Sequence, residues 1–178
     1  MHKVQQSSQH LQHALGSLAL RQDGVAAEAG SCSDEAKDDN GMTALLRAAS
    51  ASNWKEVRKL MLGGADPTIV DGQGLTAIHY ASFYGSMELT RTLIEHGPAG
   101  LVFSEAPGGE TSLCVACHYG HLEIAKALIK AGGVVLLLKT TENGFSCLYI
   151  ACQNGHLEIA KALIKAGGEA LLLKTKEN

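Results

Sequence analysis

Apolar and small residues recur along this chain with the three- and four-residue spacing of one helix face, and the whole pattern returns at a near-constant interval. Leu45, Ile78, Leu113 and Leu148 are each followed three positions later by alanine, at Ala48, Ala81, Ala116 and Ala151. Ahead of each pair stands a hydroxyl residue, Thr43, Thr76, Thr111 or Ser146, and two positions before that a glycine, Gly41, Gly74, Gly109 or Gly144. A glycine turn followed by Thr or Ser predicts a helix start, because the hydroxyl can accept from a free amide of the first turn. Thr43 and Thr76 are 33 positions apart, and Thr76, Thr111 and Ser146 follow one another at 35. Gly85, Gly120 and Gly155 predict where this first helix ends, since glycine accepts the left-handed conformation of a helix stop.

A second helix follows in every unit. The fourteen letters GHLEIAKALIKAGG run from Gly120 to Gly133 and again from Gly155 to Gly168, and LLLKT follows in step at Leu136–Thr140 and Leu171–Thr175. Ile124, Leu128 and Ile129, and likewise Ile159, Leu163 and Ile164, form the apolar face. The other face carries Glu123, Lys126 and Lys130, then Glu158, Lys161 and Lys165, with acid early and base late as the helix dipole prefers. The pairs Gly132-Gly133 and Gly167-Gly168 are expected to close this helix. In the first unit the two helices are predicted at about Thr43–Ala51 and Trp54–Leu62. No such unit can bury its own apolar face, so the units must stack.

These residues resemble the ankyrin repeat family, whose signature T-P-L-H-x-A-A-x-x-G-H and L-E-I-V-K-x-L-L-x-x-G-A is similar to Gly74–Ala81 with Gly85 and to Gly120–Ala131. The likeness runs from about Asp39 to Lys174. It implies an all-α solenoid of stacked helix-turn-helix units with short β-hairpin or loop fingers, which meets its partners along the concave face of finger tips and first helices. Units are expected at about 39–70, 71–104, 105–139 and 140–174, with the start of a fifth at 175–178. Residues 1–38 are expected to be a leader, mostly disordered or forming a short capping helix. The family's proline is replaced by Ala44, Ala77, Ser112 and Cys147, and its histidine remains only as His79. Ser52-Asn53 stands where Gly-His is usual. Val134–Leu138 and Ala170–Leu173 are unusually apolar for fingers. They are expected to pack beneath the helices as modified fingers with an extra helical turn, the alternative being plain loops with exposed leucines.

Composition narrows the function. The 15 basic and 18 acidic residues are interspersed, without the basic patch of a nucleic-acid binder. No apolar run reaches the roughly 18–20 residues needed to span a bilayer. Five cysteines, an odd number set mostly in apolar stretches, fit reduced thiols in an intracellular protein. The leader lacks the apolar core of a secretory signal, although Leu11, Leu15 and Leu18 share a helix face and no acid precedes Arg21, as in an organelle transit peptide.

Three constellations could carry chemistry. Cys114-Val115-Ala116-Cys117-His118 matches the spacing for covalent haem attachment, but it falls on a buried first helix. Cys114, Cys117, Cys147 and Cys152 could be zinc ligands, but units about 10 Å apart do not bring four thiols onto one ion. Cys117 and Cys152 are instead expected to be buried and slow to react, and Cys32 in the leader to react at once. The Gly-His pairs at His121 and His156 read as structural groups bonded to turn carbonyls. No cofactor, metal or catalytic residue is expected. What remains is a stripe on the first helices: Arg47; Tyr80, Phe83 and Tyr84; Val115, His118 and Tyr119; Ile150, Gln153 and Asn154. Exposed aromatics flanked by polar groups suit a protein hot spot, the alternative being packing against neighbouring fingers. The expectation is a monomeric, cytoplasmic scaffold or adaptor module that binds another protein. The alternative is a regulatory or targeting array of an enzyme whose catalytic domain lies elsewhere.

Overall fold

The computed structural model describes residues 36–174, so Cys32, the apolar face at Leu11, Leu15 and Leu18, and the start of a fifth unit at 175–178 lie outside the described residues. Four helix pairs follow one another: α1 (Ala44–Ser50) and α2 (Trp54–Leu62), α3 (Ala77–Tyr84) and α4 (Met87–His96), α5 (Ser112–Tyr119) and α6 (Leu122–Leu137), α7 (Cys147–Gln153) and α8 (Leu157–Lys174). Within a unit the two helices pack together. Between units, first helix packs on first helix and second on second, so the described chain is one continuous stack.

The hydroxyl residues start the first helices as expected. Thr43, Thr111 and Ser146 accept from the amides of Leu46, Cys114 and Tyr149. Asn53 and Ser86 do the same for α2 and α4. Leu45, Leu46, Ile78, Leu89, Leu93, Leu113, Ile124, Leu128 and Leu163 are all buried in one core that runs through the stack.

The glycine pairs of units three and four close their helices as expected. In α6 the backbone leaves the helical region at Gly133 (φ 59°, ψ −157°) and a second short helix runs on to Leu137; in α8 it does so at Gly168 (φ 49°, ψ −136°), with a second helix to Lys174. Side chains are strongly disfavoured in that backbone region, so glycine permits the break. Beyond it, Val134–Leu137 is the extra helical turn expected of a modified finger. Leu136 and Leu137 are buried beneath the helices, whereas Val135 is 68% exposed.

Unit two has the same device, hidden by its sequence. A 3-10 helix at Ala99–Phe103 buries Leu101, which precedes Leu136 and Leu171 by 35 residues at each step, and all three are buried. Each leucine closes onto a glycine four residues earlier. A Cβ at Gly97, Gly132 or Gly167 would approach the side chain of Leu101, Leu136 or Leu171 to 2.9, 2.6 or 2.8 Å. The longer units thus form a tucked helical turn. The β-hairpin finger implied by the family is reduced to single antiparallel bridges, Glu105 with Thr111 and Thr140 with Ser146.

Candidate functional site

The register of the first helix decides what each of its positions can touch. The first and fourth residues after the cap face the preceding unit, the third and sixth face the following one, and the seventh and eighth stay open. Tyr80, a fourth-position residue, is 0% exposed and its hydroxyl donates to Asp71 Oδ2 at 2.6 Å. That carboxylate also accepts the amides of Gln73 and Leu75, so Tyr80 pins the turn ahead of its own helix. Val115 (1% exposed) and Ile150 (7%) occupy the same position and are likewise buried. The expectation that Tyr80, Val115 and Ile150 meet a partner therefore fails: all three are buried inside the stack. Arg47 is the fourth-position residue of unit one and is exposed, held by Asp38 at 3.3 Å and by the Met42 carbonyl at 3.1 Å.

The seventh and eighth positions form a ridge. Phe83 meets Tyr84 edge-on with ring centroids 4.8 Å apart, and meets Tyr119 of the next unit in the same way at 4.9 Å. Tyr119 lies 4.7 Å from the ring of His118, and the Asn154 side chain of unit four sits 3.4 Å from His118 Nδ1. Phe83, Tyr84, His118 and Tyr119 are half-buried, while Gln153 and Asn154 are exposed. The ridge crosses units two, three and four without a gap. In unit one the matching positions are Ser50 and Ala51, so it stops there.

The ridge is uncharged near neutral pH. Partial burial raises the Tyr84 and Tyr119 hydroxyls above the usual tyrosine range, and burial followed by the neighbouring His156 lowers His118. The formal charge sits elsewhere, on exposed second-helix pairs such as Glu123 with Lys126 (2.7 Å) and Glu158 with Lys161 (2.8 Å).

Histidine serves the seams. His121 Nε2 donates to the Phe83 carbonyl at 3.2 Å, and His156 Nε2 to the His118 carbonyl at 3.0 Å. Each ring therefore bonds across to the preceding unit and not to its own turn. It also lies against that unit's terminal glycine: a Cβ at Gly85 or Gly120 would come within 2.6 Å of the ring. These clamps hold the carbonyls of two ridge residues in place. An aromatic pair that the stripe missed, Phe145 and Tyr149, stacks at 4.8 Å in unit four, where Tyr149 is 41% exposed. Its signal was the four-residue spacing across the Ser146 cap.

The cysteines divide differently from the expectation. Cys114, Cys117 and Cys147 are buried, but Cys152 is exposed. Cys152 is a sixth-position residue like Ser82 and Cys117, and no following unit covers it among the described residues. A thiol reagent should accordingly modify Cys152 quickly in the folded protein and reach Cys114, Cys117 and Cys147 only in denaturant, as read by mass spectrometry. Protection of Cys152 would contradict this packing. Among the described residues no cluster of His, Cys, Asp and Glu is arranged to hold a metal ion, and no helix is long and apolar enough to cross a membrane.

A family model described as ankyrin repeats in three copies matches residues 17–99, 47–135 and 100–172. This chain belongs to the ankyrin repeat family. It is also similar to an ankyrin repeat-containing protein of Treponema pallidum (strain Nichols), 37% identical over 86 residues. That match covers 46% of this chain and 29% of the relative, so the chain spans well under two thirds of the relative's length. Ankyrin repeats are in general non-catalytic modules for protein–protein interaction.

Proposed function

We propose that this chain is a scaffold or adaptor module that binds its protein partner across Phe83, Tyr84, His118, Tyr119, Gln153 and Asn154. The observation that carries the reading is the unbroken ring contact from Tyr84 through Phe83 to Tyr119 and His118, which joins separate units into one surface. The chain holds only three Phe, four Tyr and one Trp, and three of these eight aromatics lie on the ridge. Rings already locked edge to edge lose little rotamer freedom on contact, and aromatic anchors commonly dominate interface energies. An apolar or aromatic segment, with hydrogen bonding reserved for Gln153, Asn154 and the tyrosine hydroxyls, is the partner chemistry this surface suits. Such a module would act in the cytoplasm, where an exposed thiol such as Cys152 stays reduced.

The test is to recover a partner with the intact chain and to measure dissociation constants for two variant sets. Phe83→Ala and Tyr119→Ala should each weaken binding at least about tenfold. Lys126→Ala and Lys161→Ala, which remove screened surface charges, should change it less than about fivefold. Circular dichroism confirms that each variant folds. If the lysine variants alone lose affinity, the partner lies on the second helices and the ridge is not the site.

A further inference from the structure

Cys114 on α5 and Cys147 on α7 belong to different units, yet their sulfurs lie 3.0 Å apart and both are fully buried. The register explains the meeting: Cys114 is a third-position residue facing the following unit, and Cys147 a first-position residue facing the preceding one. The matching pairs elsewhere cannot react in this way, since they join Leu46 to Ala77 and His79 to Ser112. Cys117 completes the cluster against Cys147. A disulfide sulfur pair sits at about 2.0 Å, so the two sulfurs have about 1 Å to close.

We infer that Cys114 and Cys147 are a dithiol that closes to a disulfide stapling unit three to unit four. The oxidant is a low-molecular-weight disulfide such as oxidised glutathione. One cysteine thiolate attacks it, releasing one glutathione thiol and leaving a mixed disulfide. The second cysteine thiolate then displaces the other glutathione, and the two cysteine protons end on the two glutathione thiols formed. Because the folded thiols are buried, the exchange takes place when the α5–α7 seam is open, during folding or local opening of unit four, and the closed bond is then sealed in the core. The staple joins residues 33 positions apart, which restricts the unfolded chain. It also ties together the two units whose seam carries the His118–Asn154 end of the ridge.

The experiment uses the full chain with Cys32→Ser and Cys152→Ser, which removes the leader thiol and the exposed one. The protein is unfolded, refolded in reduced and oxidised glutathione, alkylated, digested and read by fragmentation mass spectrometry. The expected product is a monomer with Cys114 linked to Cys147 and Cys117 alkylated. Its melting temperature should be several degrees above that of the reduced form, with the gain abolished by a reductant. Cys147→Ala tests the assignment and should fold, because alanine occupies the same position at Ala44 and Ala77. It should melt at one temperature in both buffers. A Cys114–Cys117 bond, chain-to-chain bonds only, thiols that remain reduced, or an oxidised form that melts no higher than the reduced one would each overturn the inference.

Discussion

Leu128→Ala should lower the stability of the stack by about 2–5 kcal/mol, the usual loss when a large core side chain is truncated. Leu128 is fully buried on α6, and that helix packs against α4 on one side and α8 on the other, so the cavity would open at a seam held by three units. The repeated sequence supplies an internal comparison. Leu163 is its counterpart in the identical fourteen-residue segment of unit four and is equally buried, but among the described residues α8 packs on only one other second helix. In a stack coupled through nearest neighbours, damage at Leu163 should fray unit four locally, while damage at Leu128 should uncouple the units on both sides. Lys126→Ala is the control. Its ammonium pairs with Glu123 in the open, and the change should cost under about 0.5 kcal/mol. Urea unfolding followed by circular dichroism measures all three. If the leucine and lysine variants unfold alike, the assignment of helix faces is wrong.

Acid should destabilise the protein through His79 before its carboxylates are protonated. His79 is fully buried: Nδ1 faces the Thr76 amide at 3.2 Å and its hydroxyl at 2.8 Å, while Nε2 donates to the Glu110 carbonyl of the next unit at 3.2 Å. Burial lowers its pKa from 6.5 to about 4, against the smaller opposing influences of the Glu110 carbonyl and the Asp71 carboxylate. The folded protein therefore holds a neutral ring where the unfolded chain would take up a proton. That difference is absent above about pH 6.5 and grows as the pH falls toward 4, to a loss of about 3 kcal/mol. His79→Gln removes the titration. It should be less stable than the wild type at pH 7.5, where the bridging bonds count, and the gap should shrink steadily toward pH 4.5. Denaturant unfolding across that range checks the slope; parallel curves for the two proteins would exclude His79 as the source.

Much of the fold could be read directly from the sequence because its causes are local. A glycine turn followed by Thr or Ser, an apolar position every three or four residues, and acid-first charge order each act within one or two turns, and each recurs in phase. The helix starts at Ala44, Trp54, Ser112 and Cys147 follow from the caps at Thr43, Asn53, Thr111 and Ser146. The core leucines follow from the period. The tucked turn at Ala99–Phe103 was not legible: Gly97-Pro98 reads as a loop, and only the buried Leu101 aligns it with Leu136 and Leu171. That Gly133 and Gly168 close one helix and are followed at once by another depends on what the next residues can reach, and that is a tertiary matter.

The candidate site shows the same division. Residue type alone put Tyr80, Phe83, Tyr84 and Tyr119 together as aromatic anchors, and it could not separate them. Packing did: one helical turn places the fourth position inside the stack and the seventh and eighth outside it, so Tyr80 holds the Asp71 turn while Phe83 and Tyr119 touch across units. Likewise Cys117 and Cys152 sit in equivalent places and differ only in whether a further unit covers them. The sequence by itself determined the repeat, the helices and the list of residues that could matter, because those depend on near neighbours along the chain. Only the tertiary structure decided which were exposed, which were paired and which thiols met, because those depend on neighbours 30 or more positions away.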